Sequence, residues 1–193
     1  MSGATEEYKQ AVKDLYKKSQ IVLTDEELES VDYADFGLDN LEEEGLNLIL
    51  YVNNTRYCAK EMVLLPNQTC PEHLHPDWNG HEGKQETFRC RWGEVYLYVE
   101  SDEPLDPEKI SVSIPKNSQE YYTASKEYRL LPGEQYTIDP KLKHWFKAGK
   151  DGAVISEFSS PSYDEYDVFT DPNVKRVIMD RYEKNFEFKR NVD

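Results

Sequence analysis

From residue 46 onward the chain alternates short strand-like segments with turn signals, and this pattern limits the fold more than any other feature. Residues 46–52 and 56–65 have the character of strands on either side of a turn at residues 53–55. Similar segments recur about every ten residues, separated by pairs such as Pro132-Gly133. Short strands at this spacing are typical of an all-β sandwich or barrel. We therefore predict an all-β fold.

Helical patterns lie before and after this region. Residues 5–18 carry apolar side chains at the spacing of an amphipathic helix. Thr24 and Glu27 match a capping box that begins a second, short helix. Residues 66–71 form a predicted connector that leads into the next strand. The other predicted elements are strands at residues 87–92, 94–100, 110–114, 127–131, 136–138, 144–147 and 153–158, turns at Gly93 and Asp151-Gly152, and a final helix from Asp171 that includes Val174, Val177, Ile178 and Tyr182.

A pair of histidines and a glutamate form the strongest candidate site. His73 and His75 are two residues apart, so on a strand they face the same side. Glu86 lies eleven residues after His75 and begins a second predicted strand, on a face that we expect it to share with Phe88, Cys90 and Trp92. Neighbouring strands would aim two imidazoles and a carboxylate at one point. That donor set suits a divalent first-row metal such as Mn, Fe, Ni or Zn.

The spacing of these residues resembles the first signature of the cupin superfamily. Ten residues separate His75 from Glu86, and six separate Glu86 from Gly93. The resemblance implies a double-stranded β-helix, or jelly-roll barrel, and a fourth metal ligand from a later histidine. His144 is the one histidine downstream of Glu86. It departs from the second cupin signature because the usual glycine between Pro140 and His144 is absent.

Three other side chains are candidates for contact with a substrate. Lys60 lies in an apolar row of a predicted strand, so it either extends to the rim or points into a functional cavity. Glu157 alternates with Ile155 on a late core strand, where a carboxylate is costly to bury unless it is paired or functional. We predict that Glu157 is a general base. His81 lies in a predicted polar loop and is a candidate for substrate contact or simply a loop histidine.

The charge of the chain excludes several classes of partner. Its 193 residues include 23 basic and 38 acidic side chains, which give a net charge of −15. Such a surface repels nucleic acid and anionic membranes. The sequence also has no Gly-rich phosphate cradle. We expect a neutral polar ligand and neither a nucleic-acid nor a membrane partner.

The compartment follows from the cysteines and from the start of the chain. Three cysteines without a CxxC pair indicate a reducing environment. The first residues lack the basic and apolar regions of a signal peptide. No apolar run approaches the roughly 20 residues that a membrane-spanning helix needs. We therefore predict a cytoplasmic protein.

Longer stretches of sequence carry a closer resemblance. They are CPEHLHP at residues 70–76, GKQETFRCRWGEVYLY at residues 83–98, EFSS at residues 157–160 and FTDP at residues 169–172. These stretches resemble the cupin-type D-lyxose isomerases, and the likeness extends over roughly residues 40–175. It implies a barrel at residues 41–175, an N-terminal helical extension at 1–40 and a C-terminal helical or arm extension at 176–193.

The resemblance implies an activity and a set of roles. It implies a manganese-dependent enzyme that interconverts D-lyxose and D-xylulose, and also D-mannose and D-fructose. We expect the reaction to move a proton between C1 and C2 through an enediolate, and a metal-assisted hydride shift is the alternative that the residues leave open. The family's Mn²⁺ ligands correspond to His73, His75, Glu86 and His144. Lys60 and Glu157 match positions that handle the monosaccharide substrate. The resemblance also implies a homodimer.

Three other functions remain open at this point. Three histidines and one glutamate also occur in oxygen-using cupin dioxygenases, which hold iron or nickel. A non-catalytic sugar-binding cupin needs a pocket but no group that transfers protons. A sugar-phosphate isomerase has similar chemistry, but the absence of a phosphate cradle in the sequence weighs against it.

Overall fold

Nine strands join into a single sheet in the computed structural model, which describes residues 3–176. Two helices precede most of the sheet: α1 (Glu6–Lys18) and α2 (Asp25–Glu29). Neither helix in this part of the chain is long and apolar enough to cross a bilayer. The strands are β1 (Asp32–Ala34), β2 (Leu46–Asn53), β3 (Cys58–Leu64), β4 (Thr69–Leu74), β5 (Glu86–Val99), β6 (Lys126–Leu130), β7 (Gln135–Ile138), β8 (His144–Ser159) and β9 (Val168–Phe169).

The long strands β5 and β8 close the sheet into a barrel. The first half of β8 pairs with β4 on one side and with the second half of β5 on the other. The second half of β8 pairs with β3 and with the first half of β5. The two ends of β8 therefore belong to different walls of the barrel. The predicted all-β, double-stranded β-helix fold is confirmed.

Paired glycines bend β5 and β8 where the sequence predicted turns. The prediction of turns at Gly93 and Asp151-Gly152 is wrong, because both strands continue through these points as bulges with a shifted register. Gly93 has φ 71° and Gly152 has φ 91°. A Cβ at Gly93 would collide with the carbonyl oxygen of Gly152. Only glycine fits such a left-handed, closely packed position, and a bulge of this kind bends a strand.

The bulge in β5 changes which side chains face inward. Phe88 and Cys90 point into the barrel core before it, and Val95 and Leu97 do so after it. Trp92 lies at the bulge and packs outside the barrel, among the residues that contact α1. The prediction that Trp92 shares a face with Glu86 is therefore wrong, because the extra residue of a bulge reverses the alternation.

Helix α1 covers the outside of the barrel. Thr5 caps it by accepting a hydrogen bond from the backbone N–H of Tyr8 at 3.1 Å. Its apolar face buries Val12, Leu15 and Tyr16 against the sheet. The capping box between Thr24 and Glu27 also forms, and it begins α2 as predicted. The N-terminal helices thus stabilise the outer wall of the barrel and leave its interior to the site.

Other predicted elements differ in the structure. Residues 110–112 form bends and residues 113–114 have no regular structure, so the predicted strand is wrong, although Ile110 and Ile114 still pack in a cluster with Trp145. β4 begins at Thr69, inside the predicted connector, and ends one residue before His75. Residues 171–176 form a turn, and the remainder of the predicted final helix, with Val177, Ile178 and Tyr182, lies outside the described residues.

Candidate metal centre and sugar site

Three buried histidines meet inside the barrel. His73 on β4 pairs in register with His144, the first residue of β8, and His75 follows the end of β4. One ring nitrogen of each lies within 4.8 Å of the others. This proximity arises because the pairing of β4 with β8 places two histidines side by side, and the period of two adds the third.

Hydrogen bonds fix the orientation of these rings. Nδ1 of His73 lies 2.8 Å from the carbonyl oxygen of Pro71, and Nδ1 of His144 lies 2.9 Å from that of Leu142. A carbonyl only accepts, so each Nδ1 carries the hydrogen and each Nε2 keeps a lone pair. Nε2 of His144 is buried and has no hydrogen-bond partner. Imidazoles held in this way are typical ligands of a metal ion.

Glu86 supplies the carboxylate of the cluster. Its Oε1 lies 3.0 Å from Nε2 of His144, without hydrogen-bonding geometry, and 3.3 Å from Nε2 of His75. Burial raises the pKa of Glu86, but Lys84 and His75 more than offset this and hold the pKa well below its usual range. The structure thus brings together all four side chains that the sequence marked as metal ligands. Three imidazoles and an ionised carboxylate suit a divalent first-row metal.

The histidines differ in their affinity for protons. Burial, with the neighbouring His144 and His75, holds the pKa of His73 well below its usual range, so His73 is neutral and able to ligate. Burial and Lys84 lower the pKa of His75, but Asp167 and Glu86 outweigh them and raise it to about 9. A divalent cation that binds His75 must therefore displace a proton, as is common when metals bind protein ligands.

A row of ion pairs leads away from Glu86. Nζ of Lys84 lies 2.7 Å from Oε2 of Glu86 and 3.2 Å from Oε1 of Glu157. Nζ of Lys60 lies 3.7 Å from the same Oε1 of Glu157 and 3.1 Å from Asp164. Lys60 and Glu157 are register partners on β3 and β8, which explains their proximity. Because each of these side chains has a partner of opposite charge, the whole row can remain inside the barrel, where an unpaired charge would be costly.

These carboxylates keep both lysines charged. Burial lowers the pKa of Lys60, but Asp164 and Glu157 outweigh it and raise the pKa above its ordinary value. The pKa of Lys84 is raised well above its ordinary value in the same way, by Glu157 and Glu86 against burial. Burial raises the pKa of Asp164, yet Lys60 and Lys84 reverse this and lower it. Glu157 therefore lies between two permanent cations.

Lys84 is a site residue that the sequence analysis missed. It lies two residues before Glu86 and so shares the parity of the inward face. Extending that alternation backward by one step would have found it. Gly83 lets the chain just before Lys84 pass close to the backbone of His75, because a Cβ at this position would collide with the backbone oxygen of His75.

Asp164 and Asp167 are two more site residues that the sequence analysis does not identify. The acidic run around residue 165 has the character of a solvated loop, yet Asp164 pairs with Lys60 and Asp167 pairs with His75 inside the barrel. Their partners are about a hundred residues away in the sequence. No local pattern could have indicated these contacts.

His81 does not join the group. Its side chain is exposed, and its residue forms an isolated bridge with Trp78 in the loop after His75. Its ring stacks on Tyr163, with centroids 6.0 Å apart. It is absent from the lining of the cavity, to which Lys60, Glu157 and Glu86 contribute. The structure therefore gives no support to the predicted contact between His81 and a substrate.

The sequence matches a known family over most of its length. A family model described as D-lyxose isomerase covers residues 9–184. The chain belongs to the D-lyxose isomerase family. A D-lyxose/D-mannose isomerase of Thermosediminibacter oceani is 56% identical over 171 residues, which are 89% of this chain and 93% of that protein. A D-lyxose ketol-isomerase of Cohnella laeviribosi is 54% identical, over 89% of this chain and 92% of its own length. Membership of the D-lyxose isomerase family makes this chain a sugar aldose–ketose isomerase.

Solved structures of more distant proteins share the fold. The L-ribose isomerase of Acinetobacter sp. DL28 superposes with a TM-score of 0.71 at 16% identity, over 88% of this chain and 92% of that chain. The L-ribose isomerase of Cellulomonas parahominis gives a TM-score of 0.70 at 17% identity, over 87% of this chain and 91% of that chain. At identities this low the structural likeness shows that the two kinds of protein share a barrel fold, and it shows nothing about their substrates.

Proposed function

We propose that this isomerase interconverts D-lyxose and D-xylulose, and D-mannose and D-fructose, with Mn²⁺ held by His73, His75, Glu86 and His144. The observation that carries the proposal is the position of a buried carboxylate, Glu157, beside this donor set and within the same cavity. The names of the relatives support the choice of sugars.

Glu157 is the group that we propose moves the proton between C1 and C2. Its Oε1 lies 3.2 Å from Nζ of Lys84 and 3.2 Å from the hydroxyl of Ser159. These donors hold the carboxylate in one orientation inside the cavity. A positioned base typically contributes about 10²–10⁴-fold to the rate of such a step.

Lys84 has a second role in this proposal. Its ammonium lies between Glu157 and Glu86, so it faces the place where a sugar oxygen gains negative charge as the proton leaves carbon. A fixed cation at that place stabilises the transition state more than the ground state. Bound Mn²⁺ supplies Lewis-acid polarisation of the sugar carbonyl. Lys60 orients Glu157 from the opposite side.

The charges of the cavity favour neutral sugars over sugar phosphates. Lys60 pairs with Asp164, Lys84 pairs with Glu86, and Arg176 pairs with Asp32 at 2.9 Å. Each of these three cations thus already has a carboxylate partner. A phosphate would have to displace one of these partners, whereas the hydroxyl groups of a neutral sugar can bond to both signs of charge.

The family membership favours isomerase chemistry over the two other cupin functions that the sequence left open. An oxygen-using enzyme would consume O₂ when it turns over an organic substrate. A binding protein would bind sugar without changing it. Oxygen uptake and product analysis on the same metal-loaded sample separate these outcomes from isomerisation.

We also propose that the protein is a cytoplasmic homodimer with the three-part division at residues 40 and 175. These proposals rest on the sequence resemblance and on the composition of the chain. Sedimentation equilibrium at micromolar concentration checks the dimer. A mass of one chain of 22.6 kDa across that range would contradict it.

The activity is tested by incubating the manganese-loaded protein with D-lyxose, D-mannose and a panel of other neutral aldoses and assaying for ketoses. We expect D-xylulose from D-lyxose and D-fructose from D-mannose. Glu157→Gln, loaded with metal in the same way, is the control for contaminating activity. Absence of ketose from every aldose, with folded and metal-loaded protein, would contradict the proposal.

A further inference from the structure

The segment at residues 161–167, which joins β8 to β9, reaches into the barrel at two points. Asp164 contacts Lys60, and Asp167 contacts His75. Ser162 also donates a hydrogen bond to Asp164 and contacts Lys60 at 3.1 Å. We name residues 161–167 the lid segment. Its acidic side chains are the part of the site that comes from outside the barrel strands.

Asp167 holds one of the candidate metal ligands. Its Oδ1 lies 2.5 Å from Nδ1 of His75, and the side chains are 11% and 6% exposed. His73 and His144 direct Nδ1 at backbone carbonyls of their own strand neighbourhoods, so their rings are fixed by the barrel itself. His75 differs, because its orientation depends on a side chain that the lid segment carries.

An aromatic contact attaches the lid segment to the opposite loop. The ring of Tyr166 stacks on that of Trp78, with centroids 3.4 Å apart and planes 17° apart. Trp78 belongs to the loop between His75 and Lys84. The loop on the other side of the mouth therefore supports the lid segment next to Asp167.

The cavity beside the candidate ligands is too small for a monosaccharide while the lid segment is in this position. Its volume is about 40 Å³. Pockets for small organic ligands usually measure about 300–1,000 Å³. On this measure, which counts the positions open to the centre of a water molecule, one water needs roughly 10–15 Å³, so a cavity of 40 Å³ accepts a metal ion with one or two waters. A sugar needs more room. The lid segment contributes Asp164 and Asp167 to the lining, and side-chain contacts hold these residues there without strand pairing.

We infer that Asp167 is a positioning residue that orients His75 toward the metal, and that the lid segment opens to admit the sugar and closes after the product leaves, which restores this contact. The inference rests on the proposed metal site. It adds a link between the two events: the state with the lid closed binds metal more tightly than the open state. By reciprocity, bound metal favours closure to the same extent.

The dissociation constant for Mn²⁺, measured by titration calorimetry on the full chain, tests this inference. Loss of a carboxylate that supports a ligating histidine typically weakens metal binding by about 10–100-fold. We expect Asp167→Ala to show a loss in that range. Asp167→Asn keeps a hydrogen-bond acceptor at the same place, so its loss should be smaller. Glu165→Gln is the matched control, because Glu165 is exposed on the same segment, and its affinity should equal that of the wild type.

Trp78→Ala tests the role of the lid. Trp78 does not line the cavity, yet removal of its stack on Tyr166 should weaken Mn²⁺ binding and raise the dissociation constant. Tyr57→Ala, at an aromatic residue that is 52% exposed, is the control. Melting temperatures of the metal-free variants show whether each has folded. An unchanged dissociation constant for Mn²⁺ in Trp78→Ala would overturn the inferred role of the lid segment.

The measurements distinguish a failure of the role of Asp167 from a failure of the proposed function. If the wild type binds Mn²⁺ and forms ketose but Asp167→Ala binds the metal equally well, the role of Asp167 is wrong and the proposed function stands. If the folded wild type binds no divalent metal, the proposed metal site and this inference both fall.

Discussion

Glu157 and Glu61 show how two buried glutamates can differ in role. They lie on adjacent strands, β8 and β3, but on opposite faces of the sheet. Glu157 points into the barrel between two lysines. Glu61 points outward, where its Oε1 accepts a hydrogen bond from Ser156 at 2.6 Å and its Oε2 has no partner. The single variants Glu157→Gln and Glu61→Gln should therefore differ, with the first changing turnover and the second changing stability.

Glu157→Gln should lower kcat by about 10²–10⁴-fold, because glutamine keeps the size and hydrogen bonding of the side chain but cannot accept the proton. Metal content and KM for the sugar should change little. Steady-state kinetics with metal analysis measure both. Glu61→Gln is the control and should keep the kcat of the wild type. Near-normal turnover of Glu157→Gln at full metal occupancy would shift the role to Lys84 or Lys60, or to a hydride shift.

Glu61→Gln should instead change the dependence of stability on pH. Burial raises the pKa of Glu61 from 4.5 to about 7, despite the opposing hydrogen bond from Ser156 and charge of Arg91. The folded state thus binds this proton more tightly, and the wild type loses stability as the pH rises through the interval between these values.

The stability of the variant relative to the wild type should therefore increase between pH 5 and pH 8, by up to about 3 kcal/mol. Urea unfolding at several pH values measures it. Parallel profiles for the two proteins would show that Glu61 is ionised at the same pH in the folded and unfolded chains.

At this scale the sequence identified most of the site. His73, His75 and Glu86 were found by strand alternation and spacing, and Glu157 by a charge in an apolar row. Asp164 and Asp167 were not, because their partners Lys60 and His75 become neighbours only when the loop folds back over the barrel. The functional roles of all these residues stay predictions.

At the scale of elements, β5 and β8 show what alternation can and cannot predict. Val95, Leu97 and Val99 all face the barrel core, as the period of two along a strand at residues 94–100 predicts. The sequence does not predict whether Gly93 forms a turn or a bulge, because a glycine with positive φ suits both equally well. The choice is made by pairing with Gly152 on a distant strand.

Gly93→Ala should destabilise the fold more than Gly133→Ala. Both glycines have positive φ, so both substitutions impose backbone strain, typically about 1–2 kcal/mol. At Gly133 a Cβ meets nothing within 4 Å, whereas at Gly93 it collides with the backbone of Gly152. We expect at least about 3 kcal/mol for Gly93→Ala, in the range of severe single substitutions. Urea unfolding compares the two variants, and equal losses would show that the close approach at the bulge is not limiting.

At the scale of the whole molecule, the barrel accounts for both the site and the errors of prediction. It places the first residue of β8, His144, near Glu86, whose register partner is Ser159 at the other end of β8. The fold class was predictable because strand spacing and turn signals are local. The closure of the sheet into a barrel was not predictable, because it depends on pairing between distant strands. The segment at 110–114 shows the same limit, because its apolar residues pack against Trp145 without forming a strand.

Ketose formation by this protein should depend on the bound metal. The wild type is stripped with a chelator, checked to be metal-free by elemental analysis, and assayed with D-lyxose before and after addition of Mn²⁺. We predict that activity disappears with the metal and returns with Mn²⁺, and that His144→Ala neither retains metal nor regains activity. Undiminished conversion of D-lyxose by the metal-free wild type would contradict the account.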